Sequence, residues 1–270
     1  WVFGPWGSGK TSFMKMFEAQ LKNNGNETSW FEAWQYENEI SLTLPLLSKI
    51  SSSLKRKKSF TKLKKIAYSV CLVGADVLLR TSTKGSFGLE EINKPLEQAE
   101  KFYDDWVSKI DIFKSEFQKL INEVKGDKQA VIIFIDDLDR CMPENAVKLI
   151  EDIKHFLSVE GCIFVLGIDK GILSKGIQAR YGSNLISGDE YLEKIINLSF
   201  DVPHDNVKPL ISFIHESCKR LTADEWYKNI SDYIEEFANL IAECGINNPR
   251  RLKVLLTRYL FSLTLDNHKS

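Results

Sequence analysis

Residues Val2–Phe13 read VFGPWGSGKTSF, and Gly4, Gly9, Lys10 and Thr11 satisfy G-x-x-x-x-G-K-[ST], the spacing of a loop that wraps a polyphosphate. Glycines at 4, 7 and 9 give the backbone access to positive φ and remove the Cβ atoms that would separate successive N–H groups from an anion. A helix is expected at once, because Phe13, Phe17 and Leu21 recur at four-residue steps with Met14 beside them. Its positive end then faces the same anion. The pattern predicts a binding loop of Gly4, Pro5, Trp6, Gly7, Ser8, Gly9, Lys10, Thr11 and Ser12. Lys10 reaches the β and γ phosphates and the Thr11 hydroxyl ligates Mg²⁺.

A second segment, VIIFIDDLDRC (Val131–Cys141), is an apolar run ending in two adjacent acids, as expected where a central strand emerges at its carboxyl end. Asp136 is predicted to hold the Mg²⁺ shell, and Asp137 to orient the attacking water and take its proton. Alternation along a strand would send the two carboxylates to different faces.

Two later positions are candidates to sense the γ-phosphate. Asp169 ends the strand CIFVLGID, and Arg250 follows Asn248 and Pro249, a good N-cap and first helical residue, in the first turn of the last helix. An Arg there can fork onto phosphate oxygens. Arg140 and Arg180 are candidates for a finger acting across a subunit interface, and Arg140 has a second reading as a structural ion pair near the strand end. No N/T-K-x-D segment for guanine follows a late strand, which favours ATP over GTP.

Outward from these motifs, strands are expected at Trp1–Phe3, Thr28–Ala33, Ala130–Ile135, Cys162–Ile168 and Asn197–Val202, with helices at Leu42–Leu54, Ala146–Leu157 and Ile172–Arg180 between them. Short apolar strands alternating with helices predict an α/β fold with a covered parallel sheet. The order 5-1-4-3-2 is the usual one for hydrolases with an acid next to the metal-binding Asp. The reading divides the chain into a nucleotide-binding core (residues 1–54 and 126–203), a helical insertion (55–125) and a C-terminal helical lid or bundle (204–270).

The insertion opens with KRKKSFTKLKK (Lys55–Lys65), continues through the apolar IAYSVCLVGADVLL (Ile66–Leu79), and ends in a long amphipathic helix starting near Pro95. The basic run has two readings: a solvated helix end before a core helix, or a contact with an anionic membrane surface. With Phe60 as its one aromatic it offers little to a nucleic acid.

The net charge of −1 and pI near 6.5 exclude a global attraction to nucleic acid or anionic lipid. Five dispersed cysteines without a C-x-x-C pair argue against a disulfide framework or a zinc site and for a cytosolic protein. The sequence has no initiator Met or leader, and reads as a piece of a longer protein.

In the order FGPWGSGKTSF, WFEAWQYENEISL, VIIFIDDLDRCMPENAVKLIEDIKHFL, CIFVLGIDKGIL, DEYLEKIINLSFDVP and NPRRLKVLL, the chain resembles the KAP family of P-loop NTPases over nearly its whole length. The Trp34-Gln35-Tyr36 segment and the LDRC after the two acids are the most specific features. Glu32 stands where Asn is common before A-W-Q. The resemblance implies an ATPase-like module with the 5-1-4-3-2 sheet, and relatives concerned with phage exclusion in bacteria or membrane-associated signalling scaffolds in animals. It gives Lys10 and Thr11 the phosphate-loop roles, Asp136 and Asp137 the acid roles, Asp169 the sensor strand end and Arg250 the Arg before the C-terminal helix. Many relatives carry a pair of transmembrane helices in the insertion; as a helix Ile66–Leu79 would reach about 21 Å, short of a hydrocarbon core of roughly 30 Å.

The expected function is therefore Mg²⁺-dependent ATP binding and slow hydrolysis, driving a switch or effector that works in the cytoplasm or peripherally at the inner face of a membrane. Homo-oligomers, or partner or fused effector domains, are the expected associations. A nucleotide-stabilised scaffold is the first rival, since Asp137 is one methylene shorter than the Glu many ATPases use. A phosphotransferase is the second, disfavoured because a kinase must exclude the water that Asp137 is placed to activate.

Overall fold

The computed structural model describes residues 1–39, 41–54, 93–181, 187–203, 207–221, 224–246 and 248–267. The basic run Lys55–Lys65 and the apolar stretch Ile66–Leu79 lie outside them. Among the described residues no helix is long and apolar enough to cross a membrane.

Five parallel strands alternate with helices: β1 (Val2–Phe3), α1 (Lys10–Asn23), β2 (Glu27–Glu32), α2 (Thr43–Ser53), α3 (Asn93–Lys125), β3 (Val131–Asp136), α4 (Pro143–Asp152), β4 (Cys162–Ile168), α5 (Lys170–Tyr181), α6 (Gly188–Ile195), β5 (Phe200–Asp201), α7 (Val207–Leu221), α8 (Asp224–Glu243) and α9 (Pro249–Asn267). The chain groups into two compact units, one of Trp1 with Met14–Ser199 and one of Val2–Phe13 with Phe200–Ser270.

In the first unit the strands run β2-β3-β4, with Glu27 opposite Val131, Glu32 opposite Asp136, and Val131 opposite Cys162. All six residues of β3 are buried, as a central strand covered on both faces requires. Phe134 is its largest side chain, stacked on Trp30 at 5.4 Å and met edge-on by Phe17 of α1 at 6.0 Å. On α3, Phe113, Phe117, Leu120 and Ile121 form a buried stripe at helical spacing. Gln118 on α3 donates Nε2 to the Glu160 carbonyl and accepts from the Glu160 N–H, both at 2.9 Å. That pair fixes α3 to the turn before β4. Thr43, at the start of α2, donates to Asp152 at the end of α4 over 2.6 Å. Burial raises the Asp152 carboxyl above its usual range, and the Thr43 bond opposes the shift.

The second unit pairs β1 with β5, Val2 opposite Phe200 and Phe3 opposite Asp201, and the Val202 N–H adds a bond to the Phe3 carbonyl at 2.8 Å. Both runs, β2-β3-β4 and β1-β5, agree with the expected order. Phe13, in the first turn of α1, stacks on Phe200 at 4.8 Å. Helices α7, α8 and α9 close their own core from Ile214, Cys218, Ile234, Ala238, Leu252 and Leu256, all at most 1% exposed.

Candidate nucleotide site

The phosphate-loop motif forms the tight turn between β1 and α1. Gly7 has φ +83° and Gly9 φ +99°, so both use the left-handed backbone freedom the spacing predicted. Gly4 does not. Its need is for room, since a Cβ there would stand 2.4 Å from the Ser8 Oγ. The turn closes through the Ser8 N–H and the Pro5 carbonyl at 3.1 Å, and the α1 ladder begins with the Phe13 N–H on the Gly9 carbonyl at 2.9 Å. The N–H groups of the first turn precede that ladder and have no partner within the helix.

Lys10 is buried, its ammonium donating to the carbonyls of Gly4 at 2.9 Å and Pro5 at 3.4 Å. Ser8 Oγ is buried in the loop with no hydrogen-bond partner among the described residues. A hydroxyl left unsatisfied costs about 1–3 kcal/mol. Beside it, a Cβ at Gly9 would meet nothing within 4 Å. An orphaned donor, an open glycine, a buried lysine and a helix N-terminus together fit a polyphosphate.

The loop is tied to the start of α9. Asn248 donates Nδ2 to the Trp6 carbonyl at 2.8 Å, while its Oδ1 accepts the N–H groups of Arg250 and Arg251 at 3.1 and 3.2 Å. Arg250 places its guanidinium over the Trp6 ring, 4.2 Å from the centroid. A Cβ on Gly7 would lie 2.7 Å from Asn248 Oδ1 and 2.9 Å from the Arg250 Cβ. Arg250, expected as a phosphate sensor, thus stands against the loop through Trp6.

In the first unit the acids gather at the carboxyl ends of the strands. Asp136 ends β3, 3% exposed and in register with Glu32 at the end of β2. Gly167 on β4 leaves room for it: a Cβ there would stand 3.2 Å from Asp136 Oδ1 and 2.5 Å from the Met14 Sδ. Sequence reasoning passed over Gly167, although a glycine inside an apolar strand is the usual sign of a close approach.

Asp137 has φ +56°, the one non-glycine with positive φ among the described residues. Left-handed backbone, rather than strand alternation, therefore aims its carboxylate. That carboxylate accepts from Arg140 Nε at 2.9 Å, and the Arg140 guanidinium lies 5.5 Å from the Trp34 ring centroid. The ion-pair reading of Arg140 is thus met. Burial first, then the charge of Asp136, raises the Asp137 carboxyl, with Arg140 pulling it down and Asp139 and Glu32 pushing it up.

The WQYENE segment also finds its purpose here. Tyr36 stacks on Phe31 at 5.2 Å, Gln35 donates to Glu32, and Glu37 accepts the Met142 N–H at 2.8 Å and the Asn145 amide at 3.1 Å. Glu37 so joins the turn after β2 to the start of α4. Burial, and then Glu37, raise the Cys141 thiol far above its usual range and disfavour its thiolate.

Asp169 caps α5, its Oδ1 accepting the N–H groups of Gly171 at 2.9 Å and Ile172 at 3.4 Å. Arg180 pairs with Glu151 at 3.1 Å, and Glu151 also accepts from the hydroxyls of Tyr181 and Tyr191.

Known proteins are similar to this chain in sequence. The Phage T7 exclusion protein of Escherichia coli (strain K12) is 24% identical over 224 residues, 75% of this chain and 29% of its own length. The uncharacterized protein MJ0182 of Methanocaldococcus jannaschii is 24% identical over 163 residues, 48% of this chain and 84% of its own. This chain therefore spans under a third of the phage exclusion protein. The sequence profile of the KAP family P-loop domain matches residues 1–261, and the chain belongs to that family.

Proposed function

We propose that the chain binds ATP with Mg²⁺ and hydrolyses it slowly, as a nucleotide-driven switch or effector. The observation that carries this reading is the phosphate loop, where the buried Ser8 Oγ, without a hydrogen-bond partner among the described residues, lies beside positive-φ glycines and a buried Lys10. Lys10 would neutralise the β and γ phosphates, Gly4–Ser12 would wrap them, and Thr11 and Asp136 are the residues that would hold the metal. Mg²⁺, when bound, would neutralise phosphate charge there. Asp137 orients a water and takes its proton as the new O–P bond forms and the bond to the ADP oxygen breaks, giving ADP, phosphate and one proton. Asp169 and Arg250 report the γ-phosphate to α5 and α9.

The name of the Escherichia coli relative supports a role in excluding phage; output through oligomers or through partner or fused domains is our own proposal. Lys55–Lys65 is proposed as a contact to an anionic membrane face, for a protein working in the cytoplasm or at the inner side of a membrane.

A scaffold with little turnover is the second reading, and the ion pair that engages Asp137 Oδ1 favours it. Phosphate release with MgATP, against an EDTA control and against Lys10→Ala, decides between them. Binding without release supports the scaffold; neither binding nor release removes the nucleotide reading.

A further inference from the structure

We infer that Asn248 is a positioning residue for the phosphate loop, a role that rests on the nucleotide reading above. The side chain is used at both ends. Its oxygen faces two N–H groups at the start of α9 and its nitrogen faces the Trp6 carbonyl. Only this amide orientation satisfies all three partners, so the cap fixes where the donor points. The donor then pins the loop at the peptide joining Trp6 to Gly7, just before the first positive-φ residue.

Three neighbours reinforce the pin. Gly7 has no space for a side chain against Asn248 and Arg250, so loop and helix start touch through backbone and short atoms. Pro249, at the first helical position, needs no N–H partner of its own, which leaves the Asn248 oxygen to the two residues after it. Arg250 covers the Trp6 ring, 57% exposed, from the same turn. A loop that must present several N–H groups at once to an anion gains affinity when its backbone is held beforehand, because less ordering remains for binding. Asn248 thus makes the start of α9 part of the loop's framework, and a shift of α9 would loosen the phosphate cradle.

Two variants separate the strap from the cap. Asn248→Asp keeps the length and both capping acceptors but has no donor for the Trp6 carbonyl; Asn248→Ser keeps a capping oxygen, adds no charge, and is one atom shorter. Amide hydrogen exchange without nucleotide is expected to be about fivefold faster over Trp6–Ser8 in both, with α9 protection and thermal midpoint near wild type. MgATP affinity of Asn248→Ser is expected to fall about three- to tenfold, the worth of one hydrogen bond. Wild-type exchange over Trp6–Ser8 in both variants would overturn the inference, as would faster exchange with unchanged affinity in a wild type that binds MgATP. A wild type that does not bind MgATP counts against the nucleotide reading instead, and the exchange comparison still decides whether Asn248 holds the loop.

Discussion

Arg140 holds Asp137: its Nε lies 2.9 Å from the Asp137 Oδ1, three residues along the chain, while its guanidinium covers Trp34. The proposed base therefore has its Oδ1 engaged, and burial and Asp136 raise its carboxyl while Arg140 lowers it. For a base to work near neutral pH this opposition matters, since removal of either side moves the titration.

Arg140→Gln takes away the one cause that lowers the Asp137 carboxyl, so its pKa rises further. Hydrolysis needs the ionised carboxylate, so the acid limb of the kcat/KM profile is expected to move to higher pH. A limb that stays in place would show that Asp137 is not the titrating base.

Asp137→Asn is expected to retain MgATP binding and to lose hydrolysis by about 10²- to 10⁴-fold. It should also raise stability at neutral pH. The folded protein holds this proton more tightly than the unfolded chain, so ionising Asp137 costs stability as pH climbs from the ordinary carboxylate value through the raised one. The variant lacks that cost, and Asn is at ease with positive φ. Thermal midpoints should differ at pH 7 and converge below pH ~4; parallel curves at all pH values would contradict the account.

Lys10→Ala is expected to abolish the nucleotide-dependent thermal shift. Because the ammonium also ties two loop carbonyls, a loss of about 1 kcal/mol in the nucleotide-free protein should accompany it. Unchanged ATP affinity would remove the central claim.

Gly167→Ala should destabilise the protein by about 1–3 kcal/mol, since the new methyl meets Met14, itself fully buried, and the Asp136 carboxylate. Met14→Ala opens space on that side. Urea denaturation of the single and double variants should give a double-mutant loss smaller than the sum of the single losses. Strict additivity would mean that the sulfur and the methyl never compete.

The sheet was legible because its strands are short, apolar and bounded by charge. β4 spans Cys162–Ile168 as read, and β3 differs by one residue at each end, since Ala130 leads into the strand and Asp136 still pairs. β5 is shorter than Asn197–Val202, with paired residues limited to Phe200 and Asp201. The loop was legible in its glycines, though Gly4 works by space and not by φ. The left-handed turn at Asp137 was not, because an acid after a strand is written the same way whichever way the backbone turns. Nor was the Asn248 strap, whose two residues are 242 positions apart; its cap showed in N-P-R, but the second use of one amide has no local signature.

The reciprocal amide pair between Gln118 and Glu160 has an evolutionary side. It secures α3 at Gln118, well past the helix start at Asn93, next to the turn from which β4 departs to lie beside β3. Sequence on other turns of α3 is then freer to diverge among descendants of one ancestor, so long as that glutamine stays. A lineage that kept Gln118 could vary its neighbours on that helix and inherit Asp136 and Asp137 unmoved.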